Sequence, residues 1–166
     1  MPVTDITKDL DTRTLTITAE FAAPVERVWA MYADPRQLEQ VWGPPEYPAT
    51  FVEHDLRAGG RTTYYMTSPE GEKFAGYWDI TGVERPARFT FRDGFATEDL
   101  TPNTDLPVSE NVYAFESTDG GTRAVFTSTY ESAEAMQTVL DMGMEEGARS
   151  SINQIDGFLA QHPDQG

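Results

Sequence analysis

Between residues 49 and 131 the chain carries six strand-like runs in immediate succession, and that series leaves few folds open. The runs 49–56, 61–68, 73–83, 88–95, 108–117 and 123–131 are separated by "AGG", "PEG", "RPA", a longer connection and "DGG". Short breaks rich in glycine and proline are turns, so most successive runs pair antiparallel. A seventh strand comes earlier, where "RTLTITAEF" (13–21) alternates Leu15, Ile17, Ala19 and Phe21 on one face. Two short helices separate it from the series. Pro24 suits a first helical turn, Val25, Val28, Trp29 and Tyr32 form a helical stripe, and Asp34-Pro35 breaks it. "RQLEQVW" then reaches Trp42, and "GPPEYP" reads as a loop.

After the last strand Ser132 is placed to cap a helix. Its apolar period, through Met136, Val139, Leu140, Ile152, Ile155 and Leu159, runs to His162-Pro163. The expected class is α+β: a seven-stranded, curved antiparallel sheet around one long C-terminal helix. Residues 1–12 read as a flexible leader, 13–161 as a single domain and 162–166 as a tail that includes an inert His162. The connection 96–107 is long enough to serve as a functional loop or a plain solvated one.

Charge narrows the partners. With 28 acidic against 12 basic residues the net charge is −16, which repels phosphate backbones and argues against nucleic acid. The absence of cysteine excludes disulfides, thiolate metal sites and a cysteine nucleophile. No run is apolar enough to span a membrane and the N-terminus does not read as a secretory signal, so a cytoplasmic protein is expected.

Few residues suggest chemistry. His54 is the one usable histidine, and strand alternation sets it opposite its neighbours Glu53 and Asp55, so no local pair and no zinc motif follows. No serine elbow or nucleotide loop is present. "DLRAGGR" sits between strands as a turn, and the flanking Arg57 and Arg61 fit surface ion pairs better than an anion site. Glu145 and Glu146 point about 100° apart on a helix and do not form a dyad; Glu145 is spaced to pair with Arg149. No catalytic residue, metal or cofactor is assigned.

The aromatic residues are more informative. Alternation groups Tyr64 with Met66, Phe74 with Trp78 and Ile80, Phe89 with Phe91 and Phe95, and Tyr113 with Phe115. Opposite them, the helix would present Gly143, Gly147 and Ser151 at successive turns, a nearly bare face. Each glycine costs roughly 1 kcal/mol there relative to alanine. Two readings fit: the glycines leave room for a cavity, or they let a ring such as Trp78 or Phe91 pack close.

The order of elements resembles the helix-grip fold of the START-like, birch-pollen-allergen superfamily (SRPBCC). Within it, "FAAPVERVWAMYADPRQLEQVWGP" (21–44), "DLRAGGR" (55–61) and "MGMEEGARSSINQIDGFLA" (142–160) are similar to the family named after activators of the ninety-kilodalton heat-shock-protein ATPase. The resemblance covers about 14–160 and implies a cavity between sheet and long helix. It also implies a larger residue after the second glycine than Ala148, so the space here is expected to be wider or differently shaped.

The expected function is binding of a hydrophobic or amphipathic small molecule by a monomer or homodimer. Trp42, Tyr64, Met66, Phe74, Trp78, Phe91, Tyr113, Gly143, Gly147 and Ser151 are the expected lining, with His54 and Arg57 as polar contacts. Related helix-grip proteins include cyclases and hydrolases of aromatic or polyketide-like substrates, which keeps an enzyme as one alternative. A chaperone-associated interaction module is the other.

Overall fold

The computed structural model describes residues 2–163. Eight strands form one antiparallel sheet in the order β1-β2-β8-β7-β6-β5-β4-β3. They are β1 (Val3–Asp9), β2 (Thr14–Phe21), β3 (Ala49–His54), β4 (Arg61–Thr67), β5 (Lys73–Glu84), β6 (Arg88–Ala96), β7 (Ser109–Thr118) and β8 (Gly121–Tyr130). Helices α1 (Val25–Ala33) and α2 (Pro35–Leu38) lie between β2 and β3, and α3 (Ala133–Asp141), α4 (Met144–Ile152) and α5 (Ile155–Gln161) follow β8.

Two expectations are corrected. The sheet has eight strands rather than seven, because most of the expected leader is β1. It pairs with β2, from Asp5 opposite Thr18 to Asp9 opposite Thr14. Residues 3–9 alternate threonine and aspartate more than apolar groups, so the period that reports a half-buried strand is missing; backbone pairing with β2 holds them instead. The second correction concerns the long helix, which is three helices. Gly143 adopts φ +85° and ends α3, with its N–H bonded to the Leu140 carbonyl at 3.0 Å. A left-handed residue at this position is how many helices stop. A milder break at Asn153 and Gln154 separates α4 from α5. Of the expected tail, 164–166 lie outside the described residues. His162 is docked: it accepts from Arg27 Nε at 2.8 Å through its carbonyl and stacks on Phe158 at 4.5 Å.

Burial follows alternation closely. Leu15, Ile17, Ala19 and Phe21 of β2 are all buried, as are Phe89, Phe91, Phe115 and Phe126 on the same concave face. Phe115 is buried and Val112 exposed, so Tyr113 and Phe115 are the inward residues of β7. Helix α1 plugs one end of this concavity. Trp29 meets Phe89 edge-on at 5.8 Å, and Tyr32 packs on Phe89, Phe115 and Phe126. Helices α3 and α5 contribute Met136, Val139, Ile155 and Leu159 to the core, whereas α4 buries only Ser151. The middle helix therefore spans the sheet without filling the space beneath it.

Besides the apolar contacts of Met144, Ala148 and Ile152, two polar ties from β1 hold α4 in place. Lys8 Nζ lies 2.7 Å from Glu145, and the Val3 N–H donates to Asn153 Oδ1 at 3.1 Å. Glu145 also meets Arg149 one turn on, at 3.4 Å, and its carboxyl is held below the ordinary range by Lys8 first.

The helix break makes a testable contrast. Gly143→Ala forces a β-carbon into a left-handed residue and is expected to cost about 1 kcal/mol. Gly157→Ala, inside α5 with nothing within 4 Å of the new carbon, is expected to gain about 0.5–1 kcal/mol. Urea midpoints of the two variants check both signs.

Candidate ligand cavity

Beneath α4 lies a cavity of about 610 Å³. Its walls come from the concave faces of β2, β4, β6, β7 and β8, from the loop after α2, and from the undersides of α3, α4 and α5. Tyr47, Phe74 and Met142 line it yet are exposed, which marks its mouth. The loop at that mouth is anchored: Gln154 Nε2 donates to the Gly43 carbonyl at 2.8 Å.

Eight of the ten expected lining residues meet here: Trp42, Tyr64, Met66, Phe74, Tyr113, Gly143, Gly147 and Ser151. No ring packs against either glycine. A β-carbon on Gly143 would touch nothing within 4 Å, and one on Gly147 would meet only Pro44 Cγ at 4.0 Å. Ser151 turns its hydroxyl back to the Gly147 carbonyl at 2.8 Å, so it adds no free polar group to the wall.

Trp78 and Phe91 are placed elsewhere. They stack on each other at 4.4 Å and are fully buried below the cavity wall, with Trp42 edge-on to Trp78 at 5.0 Å. Neither expected polar contact reaches the cavity. Arg57 lies on the surface, paired with Asp55 at 2.6 Å. His54 is inside the protein because β3 bulges between Phe51 and Glu53, which sends both Val52 and Glu53 outward and turns the next side chain in. Its Nε2 contacts the Tyr32 carbonyl at 2.7 Å, so that nitrogen carries the proton, and Nδ1 accepts from Thr62 Oγ1 at 2.8 Å. Desolvation lowers its pKa, and a neutral His54 ties α1 to the sheet.

The polar groups that do face the cavity were not among those expected. Asp93 on β6 continues the inward series Phe89, Phe91, Asp93, Phe95. Across the sheet it stands opposite Ser109, which stands opposite Tyr130; the next row sets Asn111 opposite Ser128. Asn111 is oriented by donating to Ser109 Oγ at 3.0 Å and accepting from Ser128 Oγ at 2.6 Å. Asp93 has no such partner among the described residues. Desolvation alone pushes its pKa up to about 7. Burial, followed by the field of Asp93, raises the pKa of Tyr64 and of Tyr130. The signal for Asp93 is present in the sequence as a carboxylate in phase with three phenylalanines.

A family described as "Activator of Hsp90 ATPase homolog 1-like protein" matches residues 22–160. The chain belongs to this family. A crystal structure from Mycobacterium smegmatis is 70% identical, with 95% of this chain and 97% of that one covered and a TM-score of 0.89. A solution structure from Arthrobacter aurescens is 44% identical over 98% and 94% of the two chains, with a TM-score of 0.90. A family member from Silicibacter pomeroyi, 23% identical over 89% and 98% with a TM-score of 0.72, shares the fold. No curated protein matches the chain.

Asp93 carries a stability consequence. Its carboxyl binds a proton more tightly in the folded state, with a pKa of about 7, than unfolded, near the ordinary value of 3.8. The fold therefore loses stability as pH rises from about 4 through 7, and the full cost of an ionised Asp93 is present above 7. Asp93→Asn is expected to stabilise the protein by on the order of 2–4 kcal/mol at pH 8, a gain that shrinks toward pH 4. Urea unfolding at both pH values measures it.

Proposed function

We propose that this protein binds a hydrophobic or amphipathic small molecule between the sheet and α4. The observation carrying the reading is the unfilled volume under a helix that sets Gly147, Ala148 and Ser151 toward it between Met144 and Ile152. A cavity of about 610 Å³ is in the range that encloses a small organic ligand. Large side chains at those positions would have buried more apolar surface, so the choice of small residues sacrifices packing for space. Trp42, Tyr64, Met66 and Tyr113 supply the apolar walls, with Phe74 at the mouth.

Asp93 favours a second reading, that of an enzyme, because a carboxyl titrating near neutrality is suited to moving a proton. It has no positioned partner among the described residues, so binding leads.

The test uses N-phenyl-1-naphthylamine, an uncharged dye that brightens in apolar surroundings. Saturable one-to-one binding, with a Kd on the order of 1–10 μM, is expected for the wild type. Gly147→Leu places a branched side chain in the cavity and is expected to weaken the dye at least about tenfold, by filling the space it needs. Its melting temperature checks the fold. Equal dye binding by a folded Gly147→Leu protein overturns the reading.

A further inference from the structure

The cavity lining contains one carboxylate, Asp93, and no lysine, arginine or histidine among the described residues. Everything else polar there is neutral: the tyrosine phenols, the Trp42 indole, Ser151 and the Ser109, Asn111 and Ser128 group. We infer that the ligand is a protonated amine on an apolar body, its ammonium group seated at Asp93 and its body under α4. This deepens the ligand-binding reading above and rests on it.

Three features support the assignment. First, an ammonium ion supplies what the unpartnered carboxylate lacks, a positive charge with several N–H donors, in surroundings where water competes poorly. Second, the oxygens nearest in the sheet register are acceptors as well as donors. Ser109 stands directly opposite Asp93, and Tyr130 directly opposite Ser109, so an ammonium that donates one N–H to Asp93 Oδ has hydroxyl oxygens to accept from the others. Third, the walls around Asp93 are aromatic. Tyr64, Tyr113 and Tyr130 lie close enough for their ionisation to be opposed by the Asp93 charge, and the π-faces of such rings attract a cation.

The same features oppose an anionic ligand. A carboxylate or phosphate head would sit beside Asp93 with no basic residue in the lining to offset it. The net charge of −16 adds a long-range preference of the same sign, drawing cations toward the mouth and repelling anions.

Decylamine, decanol and decanoate share one chain length and differ only in the head group, so titration calorimetry of the three at pH 8 isolates the head. The expected order is decylamine tightest, by at least about tenfold over decanol, with decanoate weakest. Asp93→Asn is expected to remove that advantage while changing decanol less than about twofold; surface attraction to the remaining acidic residues would survive the substitution.

A second measurement uses the wild type alone. The other titratable groups facing the cavity are the phenols of Tyr32, Tyr47, Tyr64, Tyr113 and Tyr130, and His54 lies behind Trp78, outside the lining. Lowering the pH from 8 to 5 should therefore protonate Asp93, leave decylamine charged, weaken it about tenfold or more, and leave decanol unchanged.

Decylamine that binds no better than decanol, or that is indifferent to both Asp93→Asn and pH, overturns the amine assignment while leaving the cavity reading standing. Failure of decylamine to bind where the neutral dye binds does the same, as does tighter binding of decanoate. Failure of all three ligands and the dye overturns both.

Discussion

A curved sheet lined with aromatic rings must have its concave face covered, and this protein meets that demand completely at one end only. Trp29 and Tyr32 of α1 pack among Phe89, Phe115 and Phe126, and Tyr32 forms the wall where that packed end meets the cavity. Farther along, α4 crosses the same face with Gly147, Ala148 and Ser151 turned inward between Met144 and Ile152. The cavity, its mouth and its polar strip all follow from that unequal cover.

A helix that buries little has to be held by other means. The break at Gly143 frees α4 from the direction of α3, and ties to β1 through Lys8 and Asn153 secure it from the opposite side. Gln154 fixes the loop that carries Trp42 and Pro44. Polar contacts thus help to position the roof, alongside the partly buried Met144, Ala148 and Ile152.

Inside the cavity the sheet register decides the chemistry. Phe89, Phe91 and Phe95 are in phase with Asp93, so the strand that supplies much of the aromatic floor also delivers a carboxylate into it. Such a group is costly in an apolar enclosure, and the cost appears as a pKa near neutrality. The neighbouring Ser109, Asn111 and Ser128 spend their hydrogen bonds partly on one another and give the strip a fixed arrangement.

Much of this was legible in the sequence. Period-two alternation in β2, β6 and β7 named the inward residues, and the turns between runs set the antiparallel order, because a strand's two faces are read directly from residue parity. Small residues at 143, 147 and 151 marked the bare side of the C-terminal helical region, and eight of the ten expected lining residues meet at the cavity. Other features depend on partners that parity does not reveal. Residues 3–9 look like an unstructured leader until β2 offers a pairing edge. His54 is turned inward by a bulge that exists only relative to β4. Trp78 and Phe91 belong to the packed floor because their rings stack on each other, a choice made by depth rather than by face. The sequence by itself determined which side chains share a face, since that follows from local backbone geometry. Only the tertiary structure decided which of them border empty space, because a cavity is defined by what the opposing layer leaves unfilled.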